Sequence, residues 1–204
     1  YTSTDAGSNN GSDVANWVFD SARKAGDSAV VTSDSNCYVV VFRSVGRQEY
    51  ATKDVRHILF KVDESALDSE AETYEADLQA AKDAAKTAAE DALAQWKAGE
   101  ATEDSFAALA NELSADDGSN TNGGLYTKIY KNQMVTEFND WCFDASRQSG
   151  DTGIVYGESS NYKGYHVMYF VGDDVPYWQV QAENALRNTD TEAWLDGLLD
   201  SAGG

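Results

Sequence analysis

The chain has 204 residues, 42% of them hydrophobic and including five Trp, eleven Tyr and seven Phe, which suffices for one generous domain or two small ones. Its 35 Asp and Glu against 15 Lys and Arg give a formal charge of -20, a field that repels nucleic-acid backbones and anionic membrane surfaces and so excludes nucleic acid as a partner. No run of about 18 apolar residues occurs, so no segment is expected to insert into a bilayer, and the start at Tyr1 lacks a basic-then-apolar signal pattern, as in a processed chain or a piece of one.

Residues 1–12 are rich in Ser, Asn, Gly and Thr and are read as a flexible lead-in. Val14, Trp17 and Val18 stand at helical spacing and predict a helix over 14–25, closed by Gly26. Two strands follow, Ala29 to Thr32 and Tyr38 to Phe42, to make a helix and a hairpin. Cys37 and Cys142, the two cysteines, each lie in an apolar-patterned stretch, where a free buried thiol is commoner than a single disulfide.

Val55 to Val62 is rich enough in β-branched and aromatic residues to form a strand. An acidic segment then leads into a long helix predicted over 69–97, with Tyr74, Leu78, Ala81, Ala85, Ala89, Ala92 and Trp96 on one stripe. A stripe made mostly of alanine buries little area per turn, so this helix is expected to pack through its ends and project from the body. After Gly99 a second helix carries Phe106, Leu109, Ala110 and Leu113, followed by the loop SADDGSNTNGG. A short strand is predicted at Leu125 to Ile129, and a helix over 136–149 with Phe138, Trp141, Cys142 and Ala145 on one face. Beyond Asp173 come Pro176, Tyr177 and Trp178, then an amphipathic helical tail that is expected to pack back on the domain.

The chain repeats itself. VANWVFDSARKAGD (14–27) and FNDWCFDASRQSGD (138–151) share Trp, Phe, Asp, Arg, Gly and Asp at constant offset, Trp17 matching Trp141 and Asp27 matching Asp151. The hairpins that follow also match, Val30 and Val31 with Ile154 and Val155, and Val39 to Phe42 with Val167 to Phe170. Three parts result: 1–50, the lead-in and a degenerate half repeat; 53–174, a complete domain; and 175–204, the tail. The missing half of the first copy is expected upstream or on another chain, as in an oligomer.

Five further elements stand in order: Arg56-His57-Ile58-Leu59, Phe106 to Ser114, Gly123-Gly124-Leu125, Met134 with Phe138 and Phe143, and Gly164-Tyr165-His166-Val167. No single element is decisive, but their order and spacing over residues 54–171 resemble the parvulin family of peptidyl-prolyl isomerases, especially extracytoplasmic foldases of the PrsA and SurA kind. The resemblance implies an α+β fold, a four-stranded antiparallel sheet wrapped by helices, and a shallow cleft that binds Xaa-Pro segments of unfolded or partly folded polypeptides. It implies neither cofactor nor metal, and a location outside the cytoplasm. Carried onto this sequence it marks His57, Asp116 and His166 as catalytic, with Asp117 the alternative one residue on, and Leu125, Met134 and Phe138 as the proline-binding pocket. Met and Phe four apart on a helix are also common in ordinary cores.

The sequence departs from the family after Gly124, where Leu125-Tyr126-Thr127 replaces a compact Gly-Leu-Gly turn. The acidic residues Asp63, Glu64, Asp68, Glu70 and Glu72 occupy the place of the arginine-rich patch of phosphate-directed parvulins, so phosphorylated substrates would be repelled. In the first copy Tyr38 stands at the place of His166 and Val14 at that of Phe138, so that copy is expected to be inactive. Two histidines and two scattered cysteines make no close-spaced ligand motif, and Cys142 has no histidine nearby in sequence, which disfavours metal and nucleophilic chemistry. The competing reading is a non-catalytic parvulin-like module that binds extended polypeptide as a chaperone or scaffold.

Overall fold

A computed structural model of the chain describes residues 11–33, 36–160 and 162–202. It divides into two compact units, one ending at Arg47 and the other beginning at Gln48. Most of the expected lead-in, residues 1–10, lies outside the described residues.

The first unit holds helix α1 (Ser12–Val18) and the antiparallel hairpin β1 (Ser28–Ser33) and β2 (Asn36–Val41). The helix stops seven residues short of its predicted end. The Asp20 carboxylate accepts the Ala22 backbone N–H at 2.9 Å, and Arg23 Nε donates to the Trp17 carbonyl at 3.0 Å, so the groups that would extend the helix are already engaged. Cys37 is exposed, against the expectation of burial, because it alternates with Tyr38 onto the open side of β2.

The second unit is built on the sheet order β4–β3–β6–β5, all antiparallel: β3 (Ala51–Lys61), β4 (Leu125–Ile129), β5 (Thr152–Glu158) and β6 (Lys163–Pro176). Around it stand α2 (Tyr74–Ala98), α3 (Glu103–Leu113), α4 (Thr136–Cys142) and α5 (Tyr177–Ala202). The α+β fold with a four-stranded antiparallel sheet is therefore present. Strand alternation sends Ile58, Val167 and Tyr169 to one face, where they pack with Ala89, Trp96, Phe106 and Ala110 of α2 and α3. Val55, Met168 and Phe170 go to the other face, against Phe138 and Cys142 of α4. Full burial of a side chain such as Phe106 is worth roughly 1.5–3 kcal/mol.

Four expectations need correction. Helix α2 does not project from the body: Leu78, Ala85, Ala89, Ala92 and Trp96 are all buried, since alanine lets the helix lie close against the sheet along its length. It begins at Tyr74, because Asp63 and Asp68 bond the N–H groups of Ser65 and Glu70 and fold the acidic segment into turns. Helix α4 ends at Cys142, because Asp144 accepts the Ser146 N–H at 2.8 Å and Arg147 donates to the Trp141 carbonyl at 3.2 Å. The tail helix α5 is tied near its start by Lys128 to Glu183 at 2.9 Å, but Leu186, Trp194 and Leu195 stay exposed rather than packing back.

Cys142 is fully buried, and burial pushes its thiol up to about 12, whereas Cys37 is exposed. A thiol titration with an aromatic disulfide reagent should therefore count one reactive cysteine in the folded chain and two after denaturation.

Candidate active site

The helix-side phase of two central strands brings the chain's two histidines together. His57 lies in phase with Val55 on β3 and His166 with Met168 on β6, so both rings point toward α4 and are 3% exposed. Their Nδ1 atoms are 3.0 Å apart. His57 Nε2 lies 2.9 Å from Asp116 Oδ2 and 3.2 Å from Ser119 Oγ, and His166 Nε2 lies 3.1 Å from the Tyr162 hydroxyl. Phe138 of α4 meets both imidazoles edge-on, with centroids 5.5 and 5.3 Å away.

Asp116 sits in the loop after α3, where Ala115 N–H donates to the Leu59 carbonyl and Ser114 Oγ accepts from Leu59 N–H, lashing the loop to β3. The hydrogen bond from His57 holds its carboxyl well below the usual carboxylate range, aided by donors from Ser119 at 2.5 Å and Tyr126 at 3.0 Å and opposed by burial. An ionised carboxylate can only accept, so His57 Nε2 is the donor to it. With both rings neutral, each has one donating and one accepting nitrogen, so His57 Nδ1 accepts a hydrogen bond from His166 Nδ1–H and His166 Nε2 accepts one from the Tyr162 hydroxyl. The result is a directed line, Tyr162 to His166 to His57 to Asp116, in which all four ring nitrogens are engaged. Burial pushes the Tyr126 hydroxyl up to about 12, with Asp116 adding to the shift, so it remains a donor.

Burial, followed by the neighbouring His57, pushes His166 down to about 3 against the pull of Asp116. A histidine with a lowered folded pKa leaves the unfolded chain binding the extra proton, so its stability contribution is complete above about 6.5 and is lost as pH falls toward 3. Stability against pH over that window should carry a one-proton slope of about 1.4 kcal/mol per pH unit from this residue. Urea denaturation of the parent and His166→Gln at several pH values should show that slope in the parent and its loss in the variant.

The histidines floor a cavity of about 300 Å³ whose other lining includes Met134, Val135 and Phe138, together with Asp116, Tyr126 and Tyr162. Five of the six expected site residues are thus brought together: His57, Asp116, His166, Met134 and Phe138. Leu125 is not among them. Strand β4 pairs Leu125 with Arg56 and Tyr126 with Val55, so it is Tyr126 that shares the phase of His57 and lines the cavity. Asp117 does not line it either. Tyr126, Tyr162 and Ser119 escaped the sequence reading: the phase of Tyr126 is set by the pairing of β4 with β3, and the other two act from loops.

Two glycines hold this geometry. A Cβ on Gly124, whose φ is +68, would lie 2.1 Å from the His57 carbonyl, and one on Gly157 would lie 3.0 Å from His166 Nε2. Arg56 fixes the same loop by donating to the carbonyls of Asn122 and Gly123 while pairing with Glu103 at 2.9 Å. Among the described residues no group of His, Cys, Asp and Glu is arranged to hold a metal ion.

A family model described as Rotamase, PPIC-type PPIASE domain, matches residues 57–172. Among solved structures the chain is similar to a peptidylprolyl isomerase (PrsA) from Bacillus cereus, with 23% identity and a TM-score of 0.41 over 71% of this chain and 44% of that one. It is also similar to a structure from work on PEB4 and the periplasmic protein Cj1289, SurA-like chaperones of Campylobacter jejuni, with 22% identity and a TM-score of 0.39 over 74% of this chain and 54% of that one. The chain thus spans about half the length of these proteins or less. No curated protein matches it.

Proposed function

The chain belongs to the PPIC-type peptidyl-prolyl isomerase family, and from that premise we propose that residues 53–174 form a parvulin-type isomerase domain that turns Xaa-Pro bonds in unfolded or partly folded clients. We further propose that it assists folding of secreted proteins outside the cytoplasm, in keeping with its sequence resemblance to extracytoplasmic foldases. Among the described residues no helix is long and apolar enough to cross a membrane. The observation that carries the reading is one cavity in which an apolar wall, Met134 and Phe138, adjoins a bonded histidine pair and an ionised carboxylate.

Rotation about a prolyl amide meets a barrier of about 18–20 kcal/mol because resonance holds the group planar. That resonance puts partial negative charge on the carbonyl oxygen. A fixed carboxylate beside the oxygen therefore disfavours the planar amide more than the twisted one, in which the charge separation collapses. Asp116 supplies this charge, and Met134 and Phe138 seat the proline ring so that the preceding carbonyl is the part that turns. His57 and His166 act as positioning residues: their ring nitrogens are all engaged, and what they do is hold the carboxylate in place. No bond is made or broken.

The test is isomerisation of a set of Xaa-Pro tetrapeptides followed without a coupling protease. The parent should accelerate at least one of them, and Asp116→Asn should lower kcat/KM by about tenfold, roughly 1.4 kcal/mol of lost discrimination between twisted and planar amide. A folded parent that accelerates none would instead support the reading as a binding module without turnover.

A further inference from the structure

The first unit reproduces α4, β5 and β6 of the second almost bond for bond. The six pairs from Ser28↔Val41 to Ser33↔Asn36 correspond to those from Thr152↔Tyr169 to Gly157↔Gly164, with no slip of register. Gly26 N–H donates to the Phe42 carbonyl and Phe42 N–H to the Asp27 carbonyl, at 2.9 and 2.8 Å; Gly150, Phe170 and Asp151 make the same two bonds at the same distances. Arg23 lies 4.5 Å over the Trp17 ring as Arg147 lies 4.1 Å over that of Trp141.

This correspondence shows what the first copy lacks. In the second unit the far edge of β6 carries β3, pairing Ile58 with Val167 and Phe60 with Tyr165, and Val167 and Tyr169 lie buried beneath α2 and α3. In the first unit, among the described residues, β2 pairs with β1 alone. The counterparts of Ile154, Val167 and Tyr169 are Val30, Val39 and Val41, and they stand 69%, 81% and 61% exposed. Val30 and Val39 are directly opposed, so the three valines form one apolar patch beside an open strand edge. Natural proteins rarely leave such an edge uncovered, because it templates pairing. The other face of the hairpin has its cover: α1 with buried Val14 lies there as α4 lies on β5 and β6.

We propose that this edge and face are a docking surface for a strand–helix–helix segment of the kind this chain carries at 51–113, drawn from polypeptide outside the described residues. Its strand adds antiparallel along β2, and its helices cover Val30, Val39 and Val41 as α2 and α3 cover their counterparts. The register follows from the duplicate: the occupant's equivalent of Ile58 sits opposite Val39, and its equivalent of Phe60 opposite Cys37. This inference is independent of whether the cavity turns over Xaa-Pro bonds.

Cys37 supplies a reporter at that position, and Cys142 is buried and silent. The full chain is mixed, in a glutathione redox buffer, with a synthetic polypeptide of residues 51–113 carrying Phe60→Cys, and disulfides are mapped by mass spectrometry. The expected product joins Cys37 to the probe and exceeds by about fivefold or more that from a probe with Lys61→Cys, whose thiol falls on the opposite face. Val39→Asp or Val41→Asp in the full chain, both at exposed positions, should lower the yield about tenfold. Equal capture of the two probes, or indifference to both Asp variants, overturns the proposal. A dimer of the full chain that Val39→Asp converts to monomer would also overturn it, by giving the surface to a second copy.

Discussion

The double variant Met134→Ala, Phe138→Ala should isomerise Xaa-Pro tetrapeptides with kcat/KM about 100-fold below the parent. The two side chains form the apolar wall of the cavity, and contacts of that size to a proline ring amount to roughly 2–3 kcal/mol, which at about 1.4 kcal/mol per tenfold gives two decades. Phe138 also stands edge-on to both imidazoles, so its loss loosens the line that holds Asp116. Because Phe138 is 2% exposed, the truncation also costs stability, about 3–5 kcal/mol, and circular dichroism must show the variant folded before its rate is read. Met134→Ala alone, at a partly buried position, should keep the fold and still lose about tenfold. An unchanged rate in the folded double variant would move the prolyl site out of this cavity.

Gly124→Ala should lower the thermal midpoint by about 10 °C or more. The backbone there has φ +68, and the added Cβ would lie 2.1 Å from the carbonyl of His57, a backbone atom of the central strand that cannot rotate away. Relief requires the loop to lift from β3, which breaks the His57 N–H bond to the Gly124 carbonyl. Strain and lost bonding of about 3–5 kcal/mol convert to the stated shift for a domain of this size. Scanning calorimetry of the variant checks it, and Gly172→Ala, where an added Cβ meets nothing within 4 Å, is the control that should stay near the parent.

The fold was legible where chemistry and periodicity agree. The run of β-branched and aromatic residues marked β3, the short strand placed after Gly124 matches β4 at both ends, and the alanine stripe marked α2. The helix ends were misread at three places for one reason. Asp20, Asp68 and Asp144 each bond a backbone N–H two residues on and turn the chain out of helical conformation, while the apolar spacing alone carries no trace of that competition. Asp144-Ala145-Ser146 is a triplet from which one of those turns could have been read.

The site was legible through its histidines, since both sit on strands and each has one phase to take. Leu125 falls outside the cavity because its phase depends on which residue of β3 it opposes, a fact of pairing between strands and not of either strand alone. Tyr162 and Ser119 reach the histidines from loops, where no periodicity constrains them.

The pairing of β3 with β6 has a kinetic consequence. His57 and His166 are bonded although they stand 109 positions apart in the chain, and the strand that carries one cannot close on the other until nearly the whole domain has left the ribosome. Contacts of such long sequence separation form late and slowly, because the entropy of closing the loop is lost before any packing compensates it. Asp116 has no histidine to order it until then. Catalysis by this chain should consequently switch on at the end of its own folding, and the recovery of isomerase activity on dilution from denaturant should track the slowest refolding phase instead of the early growth of helix.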